Sequence, residues 1–211
     1  MELLAGGAAA AEVELWAAKE GFATLGVESG AAQAAALLAR ALLEQGRVEE
    51  AEAETRFAER RGGEDLKTAI AWRGVRAEAL ARRGEHDAAL ALARRAIELG
   101  EPTDALADKA DAYMALAAVL RAAGRDLDAR GAAIVARDLY AAKDHAVGRT
   151  RAEEAAGLAP SPPSVSPALT SLADRGRDPA GEALLTTWAR LATEAPHAGP
   201  GVLVVHAGTA T

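Results

Sequence analysis

Cysteine is absent from the chain, which excludes disulfides, thiolate zinc sites and thiol nucleophiles together. That usage fits a cytoplasmic setting. Aromatic residues are scarce, 3% of a sequence that is 50% hydrophobic. The apolar content therefore rests on alanine and leucine, strong helix formers that pack helices closely while filling little volume. An all-α protein is expected. Basic side chains are in the minority, 24 against 31 acidic, for a net charge of -7, which argues against nucleic acid as a partner. A long apolar run is missing too. The one nearest the start, residues 3–11, lies between Glu2 and Glu12 and has no basic leader, so it does not read as a secretion signal. Nothing reaches the roughly 20 apolar residues of a membrane span, and no membrane association is expected.

Catalytic and cofactor motifs are likewise missing. The stretches "GGAAAAE" and "GVESGAAQ" supply glycines but no lysine followed by a hydroxyl, and neither follows a strand pattern, so no phosphate loop is present. His86, His145, His197 and His206 are scattered, without zinc-protease spacing. No serine sits in a nucleophile elbow, and Ser161, Ser164 and Ser166 fall among prolines. Asp104, Asp108 and Asp111 would share one face of a helix; the plainer reading has Asp104 capping that helix and its neighbours solvated. No cofactor, metal or catalytic residue is assigned.

What is there is helix after helix, with short glycine or charged turns between. The periodicity predicts helices at 8–24, 29–45, 48–61, 65–83, 87–99, 104–123, 127–142 and 145–157. Trp16 and Trp72 fall on apolar stripes and are expected to be buried. The composition then changes: "LAPSPPSVSPA" (158–168) puts four prolines and three serines in eleven residues, which reads as a linker. Residues 169–211 are expected to be a weakly ordered tail, with one amphipathic helix at 178–195 carrying Leu184, Leu185, Trp188 and Leu191 on a face.

Within the helical region a single arrangement recurs. "LLEQGRVEEAEAETRFA" (42–58) returns as "LARRGEHDAALALARRA" (80–96) and "LRAAGRDLDARGAAIVA" (120–136). Gly46, Gly84 and Gly124 are 38 and 40 residues apart, a period that signals stacked helix pairs. Seven residues before each glycine stand Ala39, Ala77 and Ala117, and four before stand Leu42, Leu80 and Leu120. Five residues after come Ala51, Ala89 and Ala129, and twelve after come Ala58, Ala96 and Ala136. Alanines at such positions let helices approach to the short end of the 8–10 Å interaxial range. A glycine ends the first helix of each pair by adopting the left-handed conformation.

These offsets resemble the tetratricopeptide repeat (TPR), in a variant with longer helices than the usual unit of about 34 residues. The position of that repeat's bulky aromatic is held here by Ala35, Arg73 and Tyr113, of which only the last is aromatic. More specifically, residues 67–145, "KTAIAWRGVRAEALARRGEHDAALALARRAIELGEPTDALADKADAYMALAAVLRAAGRDLDARGAAIVARDLYAAKDH", look like the carboxy-terminal helical region of bacterial class III adenylate or guanylate cyclase-like proteins and STAND-type regulatory ATPases. The resemblance implies a TPR-like α-solenoid over residues 1–157, with repeats at 29–62, 65–100 and 104–142 and a closing helix at 145–157. In such a solenoid the first helix of each pair lines a concave groove, which places Arg40, Glu78, Arg82, Asp111, Met114 and Arg121 on that side. Three arginines there would clamp a carboxylate-bearing peptide; the alternative is a solvated face of mixed charge. The function implied is a non-catalytic protein–protein interaction scaffold in bacterial signalling or transcriptional regulation. Its partner would be a protein or peptide, a nucleotide-binding regulatory domain among the candidates. Two other readings stay open: a detached regulatory end of a cyclase-like or ATPase regulator without activity of its own, and a small helical enzyme with an unrecognised site.

Overall fold

Glycine turns cut this alanine-rich chain into helices of 11 to 17 residues. A computed structural model describes residues 7–158; the expected linker beyond Leu158, the tail at 169–211 and its helix at 178–195 lie outside the described residues. Among the described residues there are eight α-helices and no strand. They are α1 (Ala8–Thr24), α2 (Glu28–Glu44), α3 (Val48–Arg61), α4 (Leu66–Arg82), α5 (His86–Gly100), α6 (Leu106–Ala122), α7 (Asp126–Ala142) and α8 (Ala146–Ala156). The described residues are all-α, as the composition leads one to expect.

The repeated turn has one hydrogen-bond pattern. The Gly46 N–H donates to the Leu43 carbonyl and the Arg47 N–H to the Leu42 carbonyl, each at 3.0 Å. Gly84 with Glu85, and Gly124 with Arg125, donate in the same way to the helix before them. This is the Schellman motif. It needs positive φ at its centre, which Gly46, Gly84 and Gly124 supply at 80°, 84° and 72°. The leucine four residues before each glycine is therefore the residue whose carbonyl closes the turn. Between α7 and α8 the same motif is built on Asp144 at φ 56°, with the His145 N–H donating to the Tyr140 carbonyl.

Each helix packs on the next, and α2, α4 and α6 also pack on one another in succession. Arg82, at the end of α4, donates to the Leu43 carbonyl near the end of α2, so these two helices run in parallel. Tyr140 near the end of α7 donates to Asp111 near the start of α6, so partners within a pair run antiparallel. All nine alanines of the repeated register are at most 1% exposed. Buried apolar residues form six clusters, two in each of the groups α2/α3/α4, α4/α5/α6 and α6/α7/α8. The core is thus divided among successive helix triplets.

Trp72 behaves as expected, 5% exposed between Ala35, Ala36 and Ala58, with the Arg73 and Arg76 guanidiniums 4.1 and 4.4 Å from the ring centre. Trp16 does not. It is 52% exposed because α1 packs chiefly on α2, and its ring carries the Lys19 ammonium at 4.0 Å while that ammonium pairs with Glu54 at 2.9 Å. Asp104 also departs from expectation: the N-cap of α6 is Ala105, whose N–H is met by the Thr103 hydroxyl at 3.2 Å. Among the described residues no helix is long and apolar enough to cross a membrane.

Candidate groove between the helix rows

Along one side of α2, α4 and α6 runs a groove of about 650 Å³, closed at its ends by α1 and by the α7–α8 corner. The floor is apolar: Leu15, Leu37, Ile70, Val75 and Met114 line it among alanines. Gly74 makes the floor possible. A Cβ there would lie 3.3 Å from the Ala115 methyl and 4.0 Å from an Arg40 guanidinium nitrogen, so glycine lets α4 close on α6 without filling the space between. Leu37 stays 41% exposed although it sits on the second helix of the array. A volume of this size with a mostly apolar lining lies within the range of ligand sites.

Of the six side chains placed on a groove by sequence, Arg40, Glu78, Asp111 and Met114 line it together. Arg82 and Arg121 do not. Each stands in the last turn of its helix and donates to a carbonyl of another, Leu43 for Arg82 and Ala155 for Arg121. Carbonyls in the last turn of a helix lack intrahelical donors, and a long guanidinium reaches them readily. The three-arginine clamp is therefore reduced to Arg40 alone. Sequence reasoning also missed contributors from both ends of the array: Glu14 and Leu15 of α1, Tyr140 of α7, His145 before α8 and Arg151 of α8.

The polar lining is acidic. Five carboxylates, Glu14, Glu44, Glu78, Asp108 and Asp111, face two guanidiniums, Arg40 and Arg151. Both guanidiniums are already engaged, Arg40 with Glu78 at 2.6 Å and Arg151 with Glu44 at 3.3 Å. Burial works against the Arg40 charge, but Glu78, and behind it Asp111 and Glu44, outweigh that and hold its pKa above the usual guanidinium value. Burial, then the Asp111 carboxylate, keep the Tyr140 phenol far above the range in which it would ionise, so it remains a donor to Asp111. His145 points its Nδ1 away from the groove's chemistry, accepting from the Gly148 N–H at 2.9 Å as the cap of α8. Its ring lies 5.2 Å from that of Tyr140. Among the described residues no group of three or more histidine and carboxylate side chains is placed to hold a metal ion.

Asp108 is the strained member of this set. Burial raises its pKa above the ordinary carboxylate value, and Asp111 and Asp65 push the same way against the pull of Lys67. A carboxyl that binds its proton better folded than unfolded contributes stability at low pH, and that contribution is lost as pH rises through the raised value. At neutral pH the charge on Asp108 thus costs the fold something, reduced by its partial exposure to water. Asp108→Asn should raise Tm at pH 7 by roughly 1–3 °C and make no difference at a pH below the carboxylate range. Thermal melts at both pH values decide it; a lower Tm at pH 7 would mean that the carboxylate supports the fold. Comparison with protein-family models, with curated proteins and with solved structures finds no match for this chain.

Proposed function

We propose that the protein is a non-catalytic interaction scaffold, a TPR-like solenoid of antiparallel helix pairs whose groove receives a segment of a partner protein. The observation that carries this reading is the apolar groove floor left open along α2, α4 and α6, with Leu37 41% exposed beside buried Ile70 and Val75. Apolar side chains that keep solvent contact inside a concave groove give a partner's apolar side chains a place to dock. The in-phase alanine seams support the solenoid reading, because they repeat one helix–helix contact along the chain. Signalling or transcriptional regulation as the setting rests on the sequence resemblance alone.

Panning a random peptide library against the full chain tests the reading. The double variant Leu37→Gln, Met114→Gln removes apolar floor without changing charge, and both positions retain solvent contact. Enriched peptides should bind it about tenfold more weakly or worse, in keeping with the loss of one or two buried side-chain contacts. Failure to enrich any peptide, or equal binding to the double variant, would remove the groove as a docking site.

A further inference from the structure

We infer that the segment held in the groove is basic, presenting a lysine or arginine to Asp108 and Asp111 while neighbouring apolar side chains cover Leu15, Leu37 and Met114. The inference rests on the reading of the groove as a docking site and adds the sign of its occupant.

Charge complementarity carries it. Each of the two guanidiniums in the groove is within ion-pair distance of a carboxylate of the same groove. Among the described residues, no cation lies within that distance of Glu14, Asp108 or Asp111. Asp108 and Asp111 stand three residues apart on α6, so both carboxylates leave the same side of the helix. Asp111 is held in place by the Tyr140 hydroxyl; a carboxylate has about four lone-pair sites, so one such bond leaves it able to accept more. A lysine or arginine entering here would meet the partly buried Asp108 and, nearer solvent, Asp111, beside an apolar wall that makes the attraction stronger than in bulk water. It would also relieve the penalty that burial places on Asp108. An acidic segment meets the reverse situation, three lining carboxylates outside any ion pair, with both lining guanidiniums engaged and Lys67, which acts on Asp108, outside the lining. The apolar floor requires the occupant to be amphipathic as well as basic, since a purely cationic chain would leave that floor wet.

Fluorescence anisotropy with the full chain tests the inference, using a matched series of short capped peptides. All share the same leucines and carry lysine, glutamine or glutamate at the intervening positions. At physiological ionic strength the lysine peptide should bind at least about tenfold more tightly than the glutamate peptide. Asp108→Asn with Asp111→Asn should bring the two within about threefold, whereas Asp87→Asn with Asp126→Asn, an equal change in net charge at exposed positions, should leave the preference intact. Circular dichroism checks that both double variants are folded; should the groove double variant unfold, Asp111→Asn alone takes its place, with a smaller loss of preference expected. Equal or tighter binding of the glutamate peptide, with dependence on Leu37 and Met114 retained, would overturn the sign while leaving the groove as a docking site. No binding by any of the three would overturn both readings. Loss of the preference in both double variants alike would mean general attraction to an acidic protein, and binding of a simple alkylammonium ion without any peptide would mean a small-molecule site.

Discussion

Ala89→Leu is expected to lower Tm by about 2–12 °C, while Ala91→Leu two residues further along the same helix leaves it within about 1–2 °C of the parent. Ala89 is fully buried, clustered with Ala77 and Ala81 of α4, Ala93 of α5 and Val119 of α6. Its methyl is the spacer between two helices, and three further carbon atoms have nowhere to go unless α5 moves off α4. Overpacking of this kind costs about 1–3 kcal/mol, and for a chain of this size each kcal/mol moves Tm by about 2–4 °C. Ala91 is exposed on the far side of α5, and leucine is nearly as good a helix former as alanine, so intrinsic propensity cannot mimic the difference. Calorimetry on the two variants measures it. Equal shifts would dissolve the seam. The register further requires that Ala51→Leu and Ala129→Leu behave as Ala89→Leu does, since all three are fully buried at the same offset from their turns.

The seams were legible because alanine at a helix contact and glycine after a helix end are both demanded by geometry and both rare by accident in phase. Expected boundaries for α1 and α3 coincide with the observed Ala8–Thr24 and Val48–Arg61. The turn before α8 was expected at its observed place, but its chemistry was not read: Asp144 holds the left-handed position that glycine holds elsewhere, and aspartate tolerates that region well enough to take the place. Asp144 lies 20 residues after Gly124, and Gly26, at φ 71°, lies 20 before Gly46. Both fall at about half the repeat spacing, marking the turn from the second helix of one pair to the first of the next. Asp104 misled because an aspartate before a helix is a good cap by type, whereas the Thr103 hydroxyl was the group within reach of the Ala105 N–H.

The groove was only half legible. Offsets from a glycine say where a Cβ points, which sufficed for Arg40, Glu78, Asp111 and Met114. They do not say where a flexible guanidinium ends, and Arg82 and Arg121 end on carbonyls of other helices. The sign of the groove was less legible still, because it depends on pairing. Arg151 and Glu44 are 107 residues apart, and nothing in a single sequence announces that they meet. Once Arg40 and Arg151 are seen to be engaged with Glu78 and Glu44, the remaining carboxylates decide what the groove attracts.

Excision of residues 85–124 as one piece, combined with Tyr140→Phe, should leave a shorter chain that is still folded and still helical. The cut joins Gly84 directly to Arg125, so the turn keeps its glycine and the residue after it. The helix that then follows α4 is α7, whose Ala129, Ala133 and Ala136 stand at the offsets of Ala89, Ala93 and Ala96. Ala77 and Leu80 of α4 likewise stand where Ala117 and Leu120 did against α7 and α8. The Tyr140 hydroxyl loses its acceptor Asp111 in the excision, and a buried hydroxyl without a partner costs about 1–3 kcal/mol, which the phenylalanine avoids. In an array whose stability is a sum over neighbouring units, losing one unit lowers Tm and leaves helicity per residue nearly unchanged. A domain organised about one shared centre would lose α5 and α6 from its middle and collapse. Circular dichroism separates the two, and a largely unfolded product would overturn the solenoid. The same product lacks Asp108, Asp111 and Met114, so it should remain folded while losing its preference for the lysine peptide, which ties the groove to the unit removed rather than to the array as a whole.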